Sequence, residues 1–442
     1  MDVTEFVNRS VQFAFKGHRF TFALSLGLFS SGGIDVGTRL LLKTLAPVVD
    51  NDVGRILRVL DVGSGVGVLG VSLAAALPKA QVEMIDRDAL ALEFSEHNAR
   101  SNGARNCAVY GGLGLARFGG SVKGAGAFNA EGETVEEGYD LIVSNVPAKA
   151  GTPVLKLFCP STIDRLNPDG RAAYVVVNPI SDFIAESIRN AGGAIITTES
   201  GHDHTVFHFS RGSDESGGAT DTATHTPESG GGMLDEAYVR RTGPIELESH
   251  HLELTTVYGI PEFDTPSYAT VLAASMMHSG KIVAAGKGER ALFWNPGQGH
   301  LPMYYLRGNA GRIGRAAMDS LRRGDIVLAG RDLLSLAISA KNVSSAGHVE
   351  PRIEHLASIL SVADTDQAAS YSEIFVRFEN IPGAPIVENV VKAAKTLLVA
   401  GGILVISGSS HEMHRVISGA KGMTMVDSRK HRGYRALRLR KR

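Results

Sequence analysis

The stretch "VLDVGSGVGVLG", residues 59–70, decides the fold class of this chain. An apolar run ends at Asp61, glycines follow at Gly63, Gly65 and Gly67, and a helical pattern begins directly afterwards. Glycines allow a tight turn and let the backbone approach a ligand, because no Cβ atom stands in the way. The stretch therefore predicts a strand, a ligand-binding loop and a helix. Taken alone, this unit fits a dinucleotide nearly as well as a nucleoside.

The sequence around this loop alternates between short apolar runs and helical patterns. "QVEMID" (residues 81–86) and "YDLIVSN" (139–145) have the character of buried strands, and "ALALEFSEHNARSNG" (89–103) is an amphipathic helix that ends at a glycine. Buried strands that alternate with helices predict an α/β fold with a doubly wound, mainly parallel sheet. In such a Rossmann-like fold, ligands bind beyond the carboxyl ends of the strands.

Several segments of the first half are similar in sequence to segments of the second half, and they occur in the same order. "VEMIDRDALALEFSEHN", which ends at Asn98, matches "IVLAGRDLLSLAISAKN", which ends at Asn342. "YDLIVSNVPAKAG" matches "SEIFVRFENIPGAP", which places Asn145 opposite Asn380. Matches in one order across both halves predict a tandem duplication of one α/β domain.

The composition changes sharply between the two halves. The segment "SRGSDESGGATDTATHTPESGGG", residues 210–232, consists largely of Gly, Ser, Thr and Asp and has almost no apolar side chain to bury. Such a composition predicts a flexible linker. We expect a first domain over residues 1–209, a linker over 210–240 and a second domain over 241–442.

The bulk composition limits the function classes. A formal net charge of −1 gives no global field for nucleic acid or membrane, so any anion-binding surface must be local. Cys107 and Cys159 lack metal-ligand spacing, and the stretches "HEMH" (411–414) and "GHDHTVFH" (201–208) lack companion ligands. We therefore expect no bound metal. The absence of a secretory signal and of a long apolar stretch predicts a cytoplasmic protein that is not held by a membrane.

Features on both sides of the glycine loop carry a resemblance to a known family. Asp61 precedes the glycines directly, and "MIDRD" places Asp86 at the end of the next strand, where a carboxylate can accept both ribose hydroxyl protons. Upstream, "FTFALSLGLFSSGGIDVGTRLLL" (residues 20–42) has the form of that family's lead-in to its cofactor loop. The sequence resembles the ribosomal RNA guanine-N2 methyltransferases of the "methyltransferase small" type, which are tandem duplications with one degenerate half.

The resemblance implies that S-adenosylmethionine is the cofactor. The cofactor-binding residues that it implies are Thr38, Asp61, Gly63, Ser64, Gly65, Gly67, Asp86, Arg87 and Asn145. The catalytic residues that it implies are Asn145 and Pro147.

The stretch "SNVPA" (residues 144–148) resembles the N-P-P-[YF] signature of methyltransferases that act on planar, conjugated nitrogens. An exocyclic amine of a base is a poor nucleophile because its lone pair is delocalised into the ring. In the family, the Asn oxygen and the next backbone carbonyl accept hydrogen bonds from the amine and favour its pyramidal form in the transition state. Here Val146 replaces the first proline, and Ala148 replaces the aromatic residue that stacks on the base. The structural alternative is an Asn-Pro turn that only ends a strand.

The second half departs from the cofactor pattern. "NPGQGHL" (residues 295–301) stands at the place of the glycine loop, with Asn295 opposite Asp61 and without the third glycine, and Gly330 is opposite Asp86. These changes predict a degenerate domain, retained for packing and substrate recognition. The basic C-terminus "SRKHRGYRALRLRKR" (residues 428–442) indicates a surface for RNA phosphates, or else a solvated strand.

The leading hypothesis is therefore a methyltransferase that uses S-adenosylmethionine to modify an exocyclic nitrogen of structured RNA. Guanine N2 of ribosomal RNA is the expected target. One alternative is an N-methyltransferase for a protein or a small molecule, because Ala148 provides no stacking surface. The other is a scaffold that binds the cofactor and RNA without catalysis. The sequence leaves the oligomeric state open.

Overall fold

The computed structural model describes residues 3–29, 31–118, 138–212, 234–248, 250–277, 290–313, 324–346 and 350–442. The chain divides into two compact units. The first unit comprises Val7–Arg87 and Ala91–Ala237, and the second comprises Met1–Phe6, Asp88–Leu90 and Tyr238–Arg442. Residues 213–233, most of the expected linker, lie outside the described residues, so the linker stays an expectation.

The first half of the chain forms an antiparallel hairpin followed by alternating strands and helices. Its strands are β1 (Arg9–Phe15), β2 (His18–Leu24), β3 (Arg58–Val62), β4 (Gln81–Asp86), β5 (Cys107–Leu113), β6 (Ala116–Phe118), β7 (Tyr139–Asn145), β8 (Leu166–Val177), β9 (Gly193–Ser200) and β10 (His204–Arg211). Its helices are α1 (Val36–Asp52), α2 (Val68–Ala76), α3 (Ala89–Ser101), α4 (Thr152–Arg165) and α5 (Ser181–Asn190).

The larger sheet of the first unit has the strand order β6-β5-β4-β3-β7-β8-β10-β9. The strands from β5 to β8 in this order are parallel, and β6, β10 and β9 are antiparallel additions at the edges. The chain builds outward from β3 to β5 and then returns to the other side of β3 with β7. The sheet is doubly wound, as the sequence predicts, and its switch point lies between β3 and β7.

The parallel strands are apolar because helices cover both faces of a sheet of this kind. Leu60, Leu141, Ile142 and Val143 are fully buried in the centre of the sheet. Among the helices that the structure describes, none combines the length and the apolar character that crossing a bilayer requires.

The second half repeats this architecture. Its strands are β11 (Val239–Leu247), β12 (His250–Val257), β13 (Ala291–Trp294), β14 (Ile326–Gly330), β15 (Arg352–His355), β16 (Tyr371–Arg377), β17 (Leu398–Ser409), β18 (Met423–His431) and β19 (Tyr434–Lys441). Its described helices are α6 (Tyr268–Met277), α7 (His300–Ile313), α8 (Leu333–Ser345), α9 (Val362–Thr365), α10 (Ile386–Leu397) and α11 (Ser410–Gly419).

The second large sheet has the order β15-β14-β13-β16-β17-β19-β18. This order equals that of the first unit when each strand is replaced by its counterpart and β6 is left out. The hairpin of β11 and β12 corresponds to that of β1 and β2. The prediction of two tandem doubly wound Rossmann-like domains is confirmed.

A buried amide holds the glycine loop of the first unit. Asn98 on α3 is fully buried, and its Nδ2 donates to the carbonyls of Val66 (2.8 Å) and Ala23 (3.1 Å), while its Oδ1 accepts from the Ala23 amide (2.8 Å). Ser95 Oγ donates to the carbonyl of Gly65 at 3.1 Å. These bonds connect the loop to α3 and to β2, and they satisfy backbone groups that no regular element pairs.

The same support is present in the second unit. Asn342 donates to the carbonyls of Thr255 (2.8 Å) and Gln298 (2.9 Å) and accepts from the Thr255 amide (2.9 Å). Ser339 Oγ donates to the carbonyl of Gly297 at 3.0 Å. The predicted correspondence of Asn98 with Asn342 therefore reflects one shared structural role.

A carboxylate without solvent access lies at the end of β3. Asp61 is 0% exposed, and its Oδ2 accepts a hydrogen bond from the Gly70 amide in the first turn of α2 at 2.8 Å. Its Oδ1 has no hydrogen-bond partner in the described part of the chain. Burial raises the pKa of Asp61 from 3.8 to about 7, because the bond from Gly70 lowers it by less and the charge of Asp86 raises it further.

This raised pKa predicts a pH-dependent stability. The folded protein holds the Asp61 proton more tightly than the unfolded chain, so the contribution of Asp61 is complete below pH 3.8 and is lost as the pH rises to about 7. An Asp61→Asn variant cannot ionise. The stability of the wild type relative to this variant should fall across that window, by at most about 4 kcal/mol.

Urea unfolding of both proteins at several pH values between 4 and 7.5 measures this difference. Asp50→Asn, at an exposed position on α1, is the control and should show little change. A difference between wild type and Asp61→Asn that does not vary with pH would contradict the prediction.

Candidate functional site

The predicted site residues gather at the carboxyl edge of the large sheet in the first unit. β3 lies between β4 and β7 and is parallel to both. The loop after β3, the end of β4 and the end of β7 therefore meet at one edge. These segments carry the loop 63–67, the pair Asp86 and Arg87, and Asn145.

The glycine loop presents bare backbone to open space. Gly63 and Gly65 have φ angles of +74° and +58°, which favour glycine, and a Cβ atom added to either would meet no heavy atom within 4 Å. Gly67 (φ +83°) faces α3 instead, since a Cβ there would lie 3.1 Å from Cα of Ser95. Two glycines thus face the candidate site, and the third permits close packing of the loop against a helix.

Asp86 stands beside this open backbone. Its Oδ2 accepts a hydrogen bond from the Gly65 amide at 2.9 Å, so the carboxylate helps to shape the loop. Asp86 and Arg87 are half-buried, and both make further polar contacts. Ser64 is buried, with its hydroxyl 3.1 Å from that of Ser95. Of the polar side chains in this part of the site, Asp86 and Arg87 are the ones with access to a ligand.

Asp61 lies beneath the loop rather than at its surface. Because it is fully buried and bonded to Gly70, it can affect a ligand only through the position of the loop and of α2. That Asp61 contributes to cofactor binding stays a prediction, and its contribution would be indirect, through the loop and α2.

The side chain of Asn145 has one defined orientation. Its Nδ2 donates to Oδ2 of Asp35 at 2.9 Å and to Oγ1 of Thr38 at 3.1 Å. Asp35 is the N-cap of α1, and the same Oδ2 accepts from the Thr38 amide at 3.1 Å. No hydrogen bond to Oδ1 of Asn145 is present among the described residues, so this oxygen remains available as an acceptor.

Pro147 follows Asn145 but makes no polar contact with this cluster in the described structure. The Val146 amide extends the pairing with β8 by donating to the Val175 carbonyl at 3.0 Å. Pro147 and Ala148 are exposed, and the Pro147 carbonyl accepts from the Ala150 amide at 3.0 Å. The catalytic role of Pro147 therefore stays a prediction, limited to stiffening the chain after Asn145.

Two residues of this cluster were not assigned a site role from the sequence. Asp35 was only part of a motif match, and His204 belonged to a His-rich stretch. A Cβ atom on Gly37 would lie 2.8 Å from Cδ2 of His204 and 2.9 Å from Oδ2 of Asp35, so the ring and the carboxylate share the space that this glycine leaves. Across the described residues, no group of three His, Cys, Asp or Glu side chains is placed to hold a metal ion.

The strand registers give the true counterparts in the second unit. Asp61 pairs with Val143, two residues before Asn145, and Phe293 pairs with Phe375, two residues before Arg377. Phe293 therefore stands in the place of Asp61, and Arg377 in the place of Asn145.

The predicted alignments of Asn295 with Asp61 and of Asn145 with Asn380 are both wrong. Asn380 lies three residues beyond the end of β16, is exposed, and accepts a hydrogen bond from Arg415. Aligning the two Asn-x-Pro motifs matches both the Asn and the Pro, which aligning the ends of β7 and β16 does not. The structural correspondence follows the strand ends, which are set by the pairing of β16 with β13 and β17.

The backbone of the second loop repeats the first. Asn295, Gly297 and Gly299 have φ angles of +54°, +63° and +90°, in the same spacing as the three glycines of the first loop. The expectation that the third glycine is missing is therefore wrong, since Gly299 occupies that place. Gly330 does correspond to Asp86, because Trp294 pairs with Ala329 as Val62 pairs with Ile85.

Side chains of the second unit fill the space that is open in the first. A Cβ atom on Gly297 would lie 2.7 Å from Nη1 of Arg377, whereas the same point at Gly65 is free. A Cβ atom on Gly330 would lie 2.8 Å from Oδ1 of Asn295, so the place of the Asp86 carboxylate is taken as well. A small cavity remains, lined by Glu262, Thr270, Phe293, Trp294, Asn295, Pro296, His300, Leu301, Phe375 and Arg377.

Known proteins resemble the first unit in sequence. Residues 19–191 match the family model of the methyltransferase small domain. A protein of Hahella chejuensis named ribosomal RNA small subunit methyltransferase C is 34% identical over 164 residues, which are 36% of this chain and 41% of that protein. The protein of the same name in Vibrio cholerae is 40% identical over 88 residues, 20% of this chain and 24% of its own. The chain thus spans less than half of each of these relatives.

One solved structure resembles the whole chain. The T. thermophilus 16S rRNA N2 methyltransferase RsmC, in complex with AdoMet and guanosine, superposes with a TM-score of 0.61 and covers 99% of both chains at 16% identity. This likeness shows the fold of both units. Residues 19–191 match a methyltransferase small domain, the family that the sequence of the first half resembles.

Proposed function

We propose that this chain is a methyltransferase that transfers a methyl group from S-adenosylmethionine to the exocyclic N2 of guanine in ribosomal RNA. The family match and the names of the relatives support methyl transfer to ribosomal RNA. The observation that carries the proposal is the Asn145 amide at the switch point. Its nitrogen is engaged by Asp35 and Thr38, and its oxygen is free to accept.

The first unit fits a nucleoside cofactor. The open backbone at Gly63 and Gly65 leaves room for a ligand, and the Asp86 carboxylate beside it is suited to ribose hydroxyls. When bound, S-adenosylmethionine supplies an electrophilic methyl group on a sulfonium. Gly63, Gly65, Asp86 and Arg87 would hold it, with Ser64, Gly67 and Asp61 keeping the loop in shape.

Asn145 would act on the nucleophile. Accepting a hydrogen bond from the guanine amine draws it toward the pyramidal form, in which the nitrogen lone pair is available for attack. This interaction would strengthen as the amine nitrogen gains positive charge on methylation, and the amine would then release one proton to solvent. Stabilisation that grows in the transition state raises kcat rather than ground-state affinity. Holding the two reactants together would supply much of the remaining acceleration.

A second substrate class follows from Ala148. This residue is exposed, and it stands where the resembling signature has a base-stacking aromatic residue. A protein or small-molecule substrate would not need that ring. Transfer of labelled methyl groups to RNA, protein and metabolite fractions of a deletion strain separates these substrates, and we expect label in RNA.

Both cysteines are buried and free, which supports a cytoplasmic location.

Structured RNA also needs a phosphate-binding surface, and the second unit offers one at the turn between β18 and β19. Tyr268 and Tyr434 are each 38% exposed, and Arg432 lies over the Tyr268 ring with its guanidinium carbon 5.2 Å from the ring centroid. Lys430 and His431 beside them are exposed. We call these five residues the turn patch. Aromatic faces with cations are suited to single-stranded RNA.

The remainder of the basic C-terminus is less suitable. Arg438 is only 8% exposed, and Lys441 is half-buried and donates to the carbonyl of Leu398, so both are less accessible to phosphate than the turn patch. Arg440 and Arg442 are exposed, but the strand pairing places them at the opposite end of the hairpin from the turn patch. We therefore propose that the turn between β18 and β19 contacts RNA, rather than residues 428–442 as a whole.

One prediction of the proposed function concerns cofactor stoichiometry. Calorimetry should show one molecule of S-adenosylmethionine per chain, because Arg377 and Asn295 fill the corresponding space of the second unit. Asp86→Ala should weaken binding by roughly 1.5–3 kcal/mol through loss of charge-assisted hydrogen bonds. Asp86→Asn, which keeps an acceptor for the Gly65 amide, should lie between that variant and the wild type. Two equal sites, or an unchanged affinity in Asp86→Ala, would refute this arrangement.

A further prediction concerns the Asn145 oxygen. Asn145→Ala should lower kcat by about 100-fold or more and leave the affinity for S-adenosylmethionine within about threefold of the wild type. Single-turnover methyl transfer and calorimetry measure the two quantities. Asn380→Ala, at the position that the sequence echo had suggested, is the control and should keep normal activity. Weaker cofactor binding at normal kcat would make Asn145 a cofactor ligand instead.

The turn patch can be tested by equal changes of charge at the two ends of one hairpin. Lys430→Glu with Arg432→Glu should weaken binding of ribosomal RNA fragments and reduce the slope of log K against log salt by about one to two. Arg440→Glu with Arg442→Glu changes the charge equally and should leave both quantities unchanged. Cofactor binding should persist in both variants. If the second pair weakens RNA binding more than the first, the surface lies at the C-terminal end.

A further inference from the structure

We propose that Asp35 is a positioning residue that, together with Thr38, fixes which way the Asn145 amide faces and so makes this side chain an acceptor toward the reacting amine. The inference rests on the proposed function, since it concerns how Asn145 is prepared for that role. It assigns to α1 a function in catalysis beyond contact with the cofactor.

A side-chain amide is asymmetric in its hydrogen bonding. The two ends of the Asn side chain have nearly the same shape, but one end only donates and the other only accepts. A 180° rotation about the last side-chain bond would present NH2 to the substrate amine, and two donors would then face each other. The protein must therefore favour one of the two orientations, or about half of the molecules would carry the wrong group.

Asp35 is the neighbour that can make this choice. An ionised carboxylate accepts and cannot donate, whereas the Thr38 hydroxyl can do either. With Oδ2 of Asp35 at 2.9 Å, the nearby atom of Asn145 must be the nitrogen, because an oxygen there would face a negative charge. The bond from the same nitrogen to Thr38 at 3.1 Å adds a second acceptor and uses the other amide proton. Both donors are then occupied, and the oxygen is turned away from them.

The carboxylate is itself held on two sides. As the N-cap of α1 it accepts from the Thr38 amide at 3.1 Å, at a helix end that favours negative charge. The His204 ring packs close to it in the space left by Gly37. Asp35 therefore cannot turn to solvent without losing the cap.

The second unit shows the same helix end without this pair. There the N-cap bond of α6 is made by Ser267, whose Oγ accepts from the Thr270 amide at 3.3 Å. Asp264, three residues before this serine, pairs with Arg240 instead. The unit with Arg377 in place of the amide thus has a serine as the N-cap, and its Thr270 hydroxyl donates instead to the Glu262 carboxylate at 2.9 Å, whereas the unit with Asn145 has Asp35 at the cap.

The main test replaces Asp35 by serine. Serine is as good an N-cap as aspartate, so α1 should be retained, but its shorter side chain cannot reach Asn145. We expect kcat to fall about 10- to 100-fold with affinity for S-adenosylmethionine within threefold of the wild type. Asp35→Asn keeps an acceptor oxygen for both partners and should retain most activity. Thr38→Val removes one of the two acceptors and should have an intermediate effect.

Two comparisons distinguish positioning from simple loss of a cap. Asp332→Ser makes the same change at the N-cap of α8, where Asp332 also accepts from a backbone amide at 3.1 Å, and it should not lower kcat. In an Asn145→Ala background, Asp35→Ser should cause no further loss, because Asp35 acts only through Asn145. Losses that multiply in the double variant, or an equal loss in Asp332→Ser, would overturn the proposal.

A readout without catalysis separates this inference from the proposed function. The side-chain NH2 protons of Asn145, identified by their absence in Asn145→Asp, should exchange slowly with solvent in the wild type and at least tenfold faster in Asp35→Ser. If the wild type transfers no methyl group to RNA, the proposed function fails, and this exchange measurement still decides whether Asp35 fixes the amide. Equal exchange in both proteins would overturn the role of Asp35.

Discussion

The glycine loop after β3 keeps its shape through buried side chains on α3, and the remainder of the site depends on this support. Three left-handed residues in five cannot form a regular ladder, so their carbonyl groups need partners from elsewhere. Asn98 and Ser95 provide them, and Asn98 also ties the loop to β2. Asn342 and Ser339 do the same in the second unit. The scaffold of the loop is therefore independent of whether the loop binds a ligand.

The difference between the two units lies in a few side chains on this common scaffold. Asp61, Asp86 and Asn145 are replaced at the same registers by Phe293, Gly330 and Arg377. A buried acid becomes a ring that stacks on Phe375 with 4.8 Å between centroids, which strengthens the core. The removed carboxylates and the added guanidinium convert an open polar cleft into packed protein interior. Polar side chains around the loop are thus present in one copy and replaced by packing residues in the other.

The sequence predicted those features that depend on local pattern. Alternating apolar runs and helices gave the doubly wound sheets, and the Asp-glycine stretch gave the loop and the strand that precedes it. The repeat is visible in the sequence because Asn98 and Asn342, which make equivalent buried hydrogen bonds, are the same residue type at matching positions. Register was not predicted, since an Asn-x-Pro echo matched Asn145 to Asn380, while strand pairing selects Arg377. The bond between Asn145 and Asp35 joins residues 110 apart in the chain, and no local pattern reports such a contact. The burial of Arg438 within a basic segment depends on which face of β19 meets the helices.

The filled pocket of the second unit has a consequence for the history of duplicated enzymes. An acid at position 330 would place its Cβ 2.8 Å from Oδ1 of Asn295 and 3.2 Å from the backbone of that residue, so Asn295 would have to move to admit it. A ligand over Gly297 would meet Arg377, whose side chain also lines the small cavity together with Phe293 and Phe375. Neither change alone therefore recreates the open space that Gly63 and Gly65 face in the first unit. A duplicated domain that has filled its loop in this way regains an open loop only through several coordinated substitutions, so the difference between the two copies tends to persist.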